Sequence, residues 1–261
     1  QPLADVALCQ WWSYFMLALA RSPSQGVLSV VTALADNSAG HFLDIVVTMP
    51  QVAMHHLLEP NDEALPHWLA QRGQPKFRAA QVQKWLFENR AESFEEMTDL
   101  GKQLREELAA EFRIWTTDVV THSTAVDGTE KLLLQLNNSG ASTTPLTSRA
   151  RLMQRIECVL LRDGQRRTIC ISSQVGCAMG CVFCASGLDG VERNLTTGEI
   201  VEQMARLVQL TEPDERVSHI VVMGMGEPLA NLDRLLPALE MTSREDGLGI
   251  SPRRITISTV G

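Results

Sequence analysis

Apolar positions along the chain follow two periods, one helical and one alternating. Phe77, Val82, Trp85 and Leu86 predict one apolar face of a short helix. Leu100, Leu104, Leu108 and Phe112 recur every fourth residue and predict a second helix, with acidic and basic residues between them as on a solvated surface. Ser93-Phe94-Glu95-Glu96 has the pattern of a capping box. Together these segments make a small helical module, whose role stays open between packing and recognition.

From Ile114 the pattern turns to strands. Ile114 to Thr121 and Lys131 to Leu136 flank Asp127-Gly128, a hairpin signal in a longer loop. Ile156 to Leu161 and Thr168 to Ser172 flank Asp163-Gly164, a second hairpin. Asn137 to Ser148, rich in Asn, Ser, Thr and Gly, reads as an exposed loop or insertion. Beyond Ser172, Thr196-Thr197-Gly198-Glu199 is another capping box and opens a helix through Met204 to Leu210. Ser218 to Met223 is a nearly all-apolar strand, as when both faces are buried. Asn231 to Ser243 fits a helix and Arg254 to Thr259 a strand. Strand, helix, strand, helix, strand implies parallel strands joined by right-handed crossovers.

The fold class is therefore α/β: a partial (β/α) barrel preceded by a small helical accessory domain and β-hairpins. A closed eight-fold barrel needs roughly 200 residues, about twice what remains here. The expected division is 1–58 unassigned, as disordered or foreign sequence; 59–113 the helical domain; 114–165 a strand-rich connector with an insertion; and 166–261 the barrel segment. The run from Val6 to Ala20 is apolar apart from Gln10 and Ser13. It is shorter than the ~20 residues that span a bilayer. Ala18-Leu19-Ala20 resembles a signal-peptidase site, yet no basic residue precedes the run. No membrane partner and a cytoplasmic location are expected. The strand pattern before Gly261 has no closing element, so the chain reads as cut.

Composition narrows the class. The 261 residues are 44% hydrophobic and 21% charged, which excludes a disordered or collagen-like chain. A net charge of −8 argues against a simple basic coat for nucleic acid. Locally, Arg149, Arg151, Arg155, Arg162, Arg166 and Arg167 form a basic run, which serves either phosphate contact or a solvated face.

The six Cys are unevenly placed: Cys9, Cys158 and Cys170 stand apart, while Cys177, Cys181 and Cys184 share one eight-residue stretch. C-x-x-x-C-x-x-C offers three thiolates on one loop, a donor set for a soft metal centre. Structural zinc usually takes four ligands, and His219 lies inside a strand. Three ligands on an iron–sulfur cluster leave one iron open to substrate. Zinc and unliganded thiols remain the alternatives. By residue type alone, Cys170 is a small buried hydrophobe, Glu157 a surface carboxylate and Gly224-Met225-Gly226 a turn.

The thiol spacing resembles that of the radical S-adenosylmethionine enzymes. Ser172-Ser173-Gln174-Val175-Gly176-Cys177, Cys184-Ala185-Ser186-Gly187, Arg193-Asn194-Leu195, Gly224-Met225-Gly226-Glu227-Pro228-Leu229 and Arg253-Arg254-Ile255-Thr256-Ile257-Ser258-Thr259 resemble the ribosomal RNA adenine-C2 methyltransferases. Lys76-Phe77-Arg78-Ala79 and Phe94-Glu95-Glu96-Met97-Thr98 fit upstream, and Asn137 to Arg149 looks like an insertion. The resemblance runs from about Leu69 to Gly261.

It implies methylation of adenine carbon 2 in 23S rRNA and in tRNA, with a [4Fe–4S] cluster and S-adenosylmethionine as cofactors and an electron donor such as flavodoxin. Carbon 2 has no nucleophilic lone pair, so simple methyl displacement fails. The family instead methylates a protein Cys and adds the derived carbon radical to the base, dividing one hard step into easier ones. Cys177, Cys181 and Cys184 would hold the cluster. Gly226, Glu227 and Ser258 would bind S-adenosylmethionine. Cys170 would resolve the protein–RNA crosslink through a disulfide, and Glu157 would accept a proton. The family's methyl-carrying Cys has no match among the six, so the chain alone is expected not to complete methyl transfer. The other readings are a different radical tRNA-modifying enzyme, such as a methylthiolase, and a non-catalytic metal-stabilised RNA-binding fragment.

Overall fold

The computed structural model describes residues 30–35, 42–47, 54–59, 64–137 and 154–260. The expectations for Val6 to Ala20, for Cys9 and for most of the Asn137 to Arg149 insertion lie outside these residues. Strands β1 (Val30–Ala35) and β2 (Phe42–Val47) pair antiparallel, Val30 opposite Val47. They belong to a unit separate from Met54–Gly261. This pairing was not expected for residues 1–50. Both runs are apolar, and Asn37, Ser38 and Gly40 between them are turn formers.

The helical module is built from β3 (His55–His56), α1 (Ala64–Gln71), α2 (Phe77–Phe87), α3 (Lys102–Glu111) and β4 (Phe112–Arg113). Strand β3 runs parallel to β4, so the module begins four residues before the expected boundary at 59. Leu58, Leu69, Val82, Leu86, Met97, Leu104 and Leu108 form its core, and the Trp68 ring meets Phe112 edge-on at 5.5 Å.

Two details differ from the sequence pattern. Phe77 is 60% exposed, with the Arg78 guanidinium against its ring. Five residues separate it from Val82, which turns it roughly 140° away around the helix. Leu100 and Phe112 are buried but flank α3 rather than ride on it, because Gly101 is the N-cap. The Ser93 hydroxyl bonds the Glu96 carboxylate instead of capping backbone, and only a single 3-10 turn follows.

Six strands form one mixed sheet in the order β12-β11-β8-β7-β6-β5. β5 (Thr117–Thr124), β6 (Glu130–Leu136), β7 (Arg155–Asp163) and β8 (Arg166–Cys170) follow one another antiparallel, as the two Asp-Gly hairpins require. β8, β11 (His219–Val222) and β12 (Ile255–Ile257) are parallel. The crossover helices are α4 (Thr197–Gln209) and α5 (Leu232–Ser243). The connector strands thus extend the barrel segment's own sheet. A small ribbon of β9 (Gln174–Gly176) and β10 (Val191–Asn194) stands apart.

Ile156, Cys158, Leu160, Ile169, Ile220 and Val222 lie on the sheet face buried with Ile200, Met204, Leu207 and Leu235 of the helices. Contrary to the all-apolar pattern, β11 is buried on one face only. His219 and Val221 are half-exposed on the other.

Helix α4 is the member that joins the two parts of this unit. Thr196 and Glu199 form the expected capping box, and Arg193 grips the Glu199 carboxylate with two bonds of 2.7 Å. At the amino end, the Gly198 N–H donates to Glu59 at 2.8 Å. Midway, the fully buried Glu202 carboxylate accepts from the N–H and hydroxyl of both Thr116 and Thr117 at 2.6–3.0 Å. Beyond the carboxyl end, Arg90 donates to the carbonyls of Thr211, Glu212 and Glu215. Cations favour helix carboxyl ends, and Arg90 holds a left-handed backbone, φ 58°.

Candidate active site

Parallel strands place their carboxyl ends, and the loops beyond them, on one side. Here these are the loops after β8, β11 and β12. Gly224 and Gly226 let the first two touch. A Cβ on Gly226, at φ 103°, would lie 2.6 Å from the Gln174 Cβ, and one on Gly224 2.6 Å from the Ser172 Oγ. In return, the Ser173 and Gln174 N–H groups donate to the Met225 carbonyl at 2.8 and 3.2 Å. The Ser172 hydroxyl accepts from Met225 N–H at 2.9 Å and donates to the Glu157 carbonyl at 2.7 Å. Gln203 of α4 clamps Ser172 through both its N–H and its carbonyl.

Glu227 sits at the centre of this network, 6% exposed. Its N–H donates to Gln174 Oε1 at 2.8 Å. Its carboxylate accepts from Thr259 Oγ1 at 2.6 Å, Leu229 N–H at 3.1 Å and Val260 N–H at 3.1 Å. Burial pushes its pKa up, but the bonds from Thr259, Leu229 and Val260 outweigh it and hold the carboxyl below the usual range. These neutral donors favour the ionised form of the carboxyl. Ser258 is exposed at the end of β12, and its neighbour Thr259 makes the contact with Glu227.

Cys177, Cys181 and Cys184 are free and half-exposed on the loop between β9 and β10. Gly176 must be glycine: φ is 74°, and a Cβ would lie 2.1 Å from the Gly190 carbonyl oxygen. Gly187 packs against the Gly180 backbone, with its would-be Cβ 3.3 Å from the Gly180 Cα, so the loop folds back on itself. Among the described residues, no three His, Cys, Asp or Glu side chains are gathered as a metal-holding group. His219 pairs with Thr168 at the amino end of the sheet, away from this loop. The loop carries three thiols, and the structure does not draw them together as a metal-holding group.

The two other described Cys part ways. In the register Val159–Cys170–Val221, strand alternation puts Glu157 and Cys170 on the open face and Cys158 on the helix face. Burial raises the Cys170 thiol pKa, partly offset by a backbone hydrogen bond from Met223. Cys158 is 1% exposed, and burial drives its thiol far above its ordinary value. Glu157 pairs with Lys131 at 2.9 Å. The basic run is largely committed within the chain. Arg167 bonds Glu215, Arg162 reaches Glu130 at 2.5 Å and the Leu210 carbonyl at 2.9 Å, and Arg155 bonds Gln135. Arg149 and Arg151 lie outside the described residues.

Two family models match the chain: the N-terminal domain of ribosomal RNA large subunit methyltransferases over residues 55–114, and the radical SAM superfamily over 171–261. A probable dual-specificity RNA methyltransferase RlmN from Rhodopirellula baltica is 58% identical over 207 residues, covering 79% of this chain and 52% of that protein. The chain belongs to the RlmN family of radical SAM proteins. An RlmN relative from Bacillus subtilis is 42% identical over 200 residues, with coverage of 76% and 51%. The crystal structure of a radical SAM methyltransferase from Sphaerobacter thermophilus superposes with a TM-score of 0.69 at 35% identity, covering 79% of this chain and 57% of that one. The chain spans about half the length of the curated relatives it matches. The radical SAM match implies S-adenosylmethionine and an iron–sulfur cluster as the family's cofactors. No helix among the described residues is long and apolar enough to cross a membrane.

Proposed function

We propose that this chain carries the cofactor-binding part of an enzyme that methylates adenine carbon 2 in 23S rRNA and tRNA. The observation that carries the proposal is the buried anionic Glu227, fixed where the loops after β8, β11 and β12 meet. Its chemistry suits the ammonium of a zwitterionic cofactor. Gln174, which holds the Glu227 backbone, stands three residues before Cys177, so the same loop leads into the thiols.

Cys177, Cys181 and Cys184 would hold the [4Fe–4S] cluster, three thiolates being one ligand short of a cluster fully held by protein. When bound, the cluster supplies the electron that breaks the cofactor's sulfonium bond. Glu227 orients the ammonium, Gly226 lets the backbone approach, and Ser258 adds a contact at the end of β12. Cys170 and Glu157 share the open face, where a target base lifted from its stack would arrive. Burial keeps the Cys170 thiol protonated at rest, so it reacts only once a base has taken its proton. Glu157 is the proton acceptor assigned to that face. An external donor of the flavodoxin kind supplies electrons, and a cytoplasmic location fits these partners.

Anaerobic reconstitution followed by metal analysis tests this reading. Iron and acid-labile sulfide in equal amounts are expected. Zinc without sulfide would favour the metal-stabilised RNA-binding fragment. With S-adenosylmethionine, reductant and RNA, the 261-residue chain alone is expected to yield no 2-methyladenosine, because none of its Cys matches the methyl-carrying position. Detection of that nucleoside would overturn this part of the reading.

A further inference from the structure

We propose that Thr259 is the positioning residue for Glu227: its hydroxyl pins Oε1, so that the carboxylate presents its remaining acceptor edge to the cofactor's ammonium. This inference rests on the reading of Glu227 as the ammonium acceptor. A carboxylate offers about four acceptor positions, and three are taken. Oε1 accepts from Thr259 Oγ1 at 2.6 Å and from Leu229 N–H at 3.1 Å, whereas among the described residues Oε2 accepts from Val260 N–H alone, at 3.1 Å. The open position is therefore on Oε2, and the two bonds to Oε1 fix where it lies.

Of these three donors, Thr259 is the one side chain; the other two are backbone groups that any residue would supply. The backbone at Glu227 is fixed independently, by its own N–H on Gln174 and by the absence of a Cβ at Gly226. What Thr259 adds is the orientation of the carboxyl plane and a link between the loops after β11 and β12, 32 residues apart in sequence. The groups that set the ionisation of Glu227 are neutral ones: the Thr259 hydroxyl and the N–H groups of Leu229 and Val260, working against burial. Losing the hydroxyl therefore shifts the balance toward burial and raises the pKa of Glu227. Ammonium binding, which needs the anion, is then lost at a higher pH as the solution is acidified.

The test uses the reconstituted full chain and compares Thr259→Val, which keeps shape, with Thr259→Ser, which keeps the hydroxyl. Two readouts are taken: the carboxyl NMR titration of Glu227 from about pH 2 to pH 8, assigned by its loss in Glu227→Gln, and equilibrium dialysis of labelled S-adenosylmethionine over the part of that range in which the chain stays folded. Thr259→Val is expected to raise the Glu227 midpoint by about one pH unit and to weaken cofactor binding about tenfold, the worth of one hydrogen bond to a charged group. Thr259→Ser is expected to restore both. An unchanged Glu227 midpoint in Thr259→Val overturns the inference, as does a Thr259→Ser variant as weak as Thr259→Val. If Glu227→Gln binds the cofactor as tightly as the native chain, the ammonium reading of Glu227 fails. The NMR titration alone then decides whether Thr259 holds the carboxylate.

Discussion

Glu202→Ala is expected to lower the unfolding free energy by about 3–5 kcal/mol, the cost of removing one partner from a buried charged network. Four donors from Thr116 and Thr117 lose their acceptor at once. Arg206, 3.2 Å from the carboxylate, loses its counter-charge, though it keeps the Thr117 carbonyl and the face of Trp115. Unsatisfied buried donors each cost about 1–3 kcal/mol, and the cavity left by the shorter side chain has room for about one or two waters, too few to replace four bonds. Because α4 also lies beneath the strands that carry the site, loosening is expected to spread to Ser172 through Gln203. Urea unfolding monitored by tryptophan fluorescence checks the magnitude. A loss below about 1 kcal/mol would place Glu202 among ordinary surface carboxylates.

Cys181→Ala is expected to abolish the cluster outright. Two thiols on one loop cannot replace the three thiolates that the proposed cluster takes from it. The expected result is loss of more than nine-tenths of the bound iron and of the visible charge-transfer absorption. The fold should be retained: Cys181 is half-exposed and lies outside the buried core. Circular dichroism and the urea midpoint separate the two effects. Full iron retention in Cys181→Ala would remove the thiol loop from the cluster assignment.

Much of the fold was legible because its signals are local. The Asp-Gly turns lie within the strands they join, and both hairpins form about Gly128 and Gly164 in left-handed conformation. Thr196 and Glu199 cap a helix from three residues apart. The same pattern at Ser93 failed because the helix it should open starts only at Lys102, after Gly101. Phe77 misled because hydrophobic identity counts less than angular position. The pairing of β1 with β2 was missed although both runs are apolar and rich in β-branched residues.

Within the site, the thiol spacing and the Gly-Glu motif were legible because they are local, and strand parity separates Cys170 from Cys158. The holders of Glu227 were not legible. Gln174 and Thr259 lie 53 and 32 residues away, and nothing in a single sequence says that two loops will meet. The basic run shows the opposite case. Its local charge density was plain, but only the fold reveals that Arg162 and Arg167 are occupied by Glu130 and Glu215.

The most direct test of a radical SAM centre in this chain is EPR of the reconstituted, dithionite-reduced protein, with and without S-adenosylmethionine. The expected result is a reduced-cluster signal that changes shape when the cofactor is added, as the proposed assignment of the thiol loop and Glu227 to one site requires. No cluster signal, or a signal indifferent to the cofactor, would contradict the assignment of the thiol loop and Glu227 to one site.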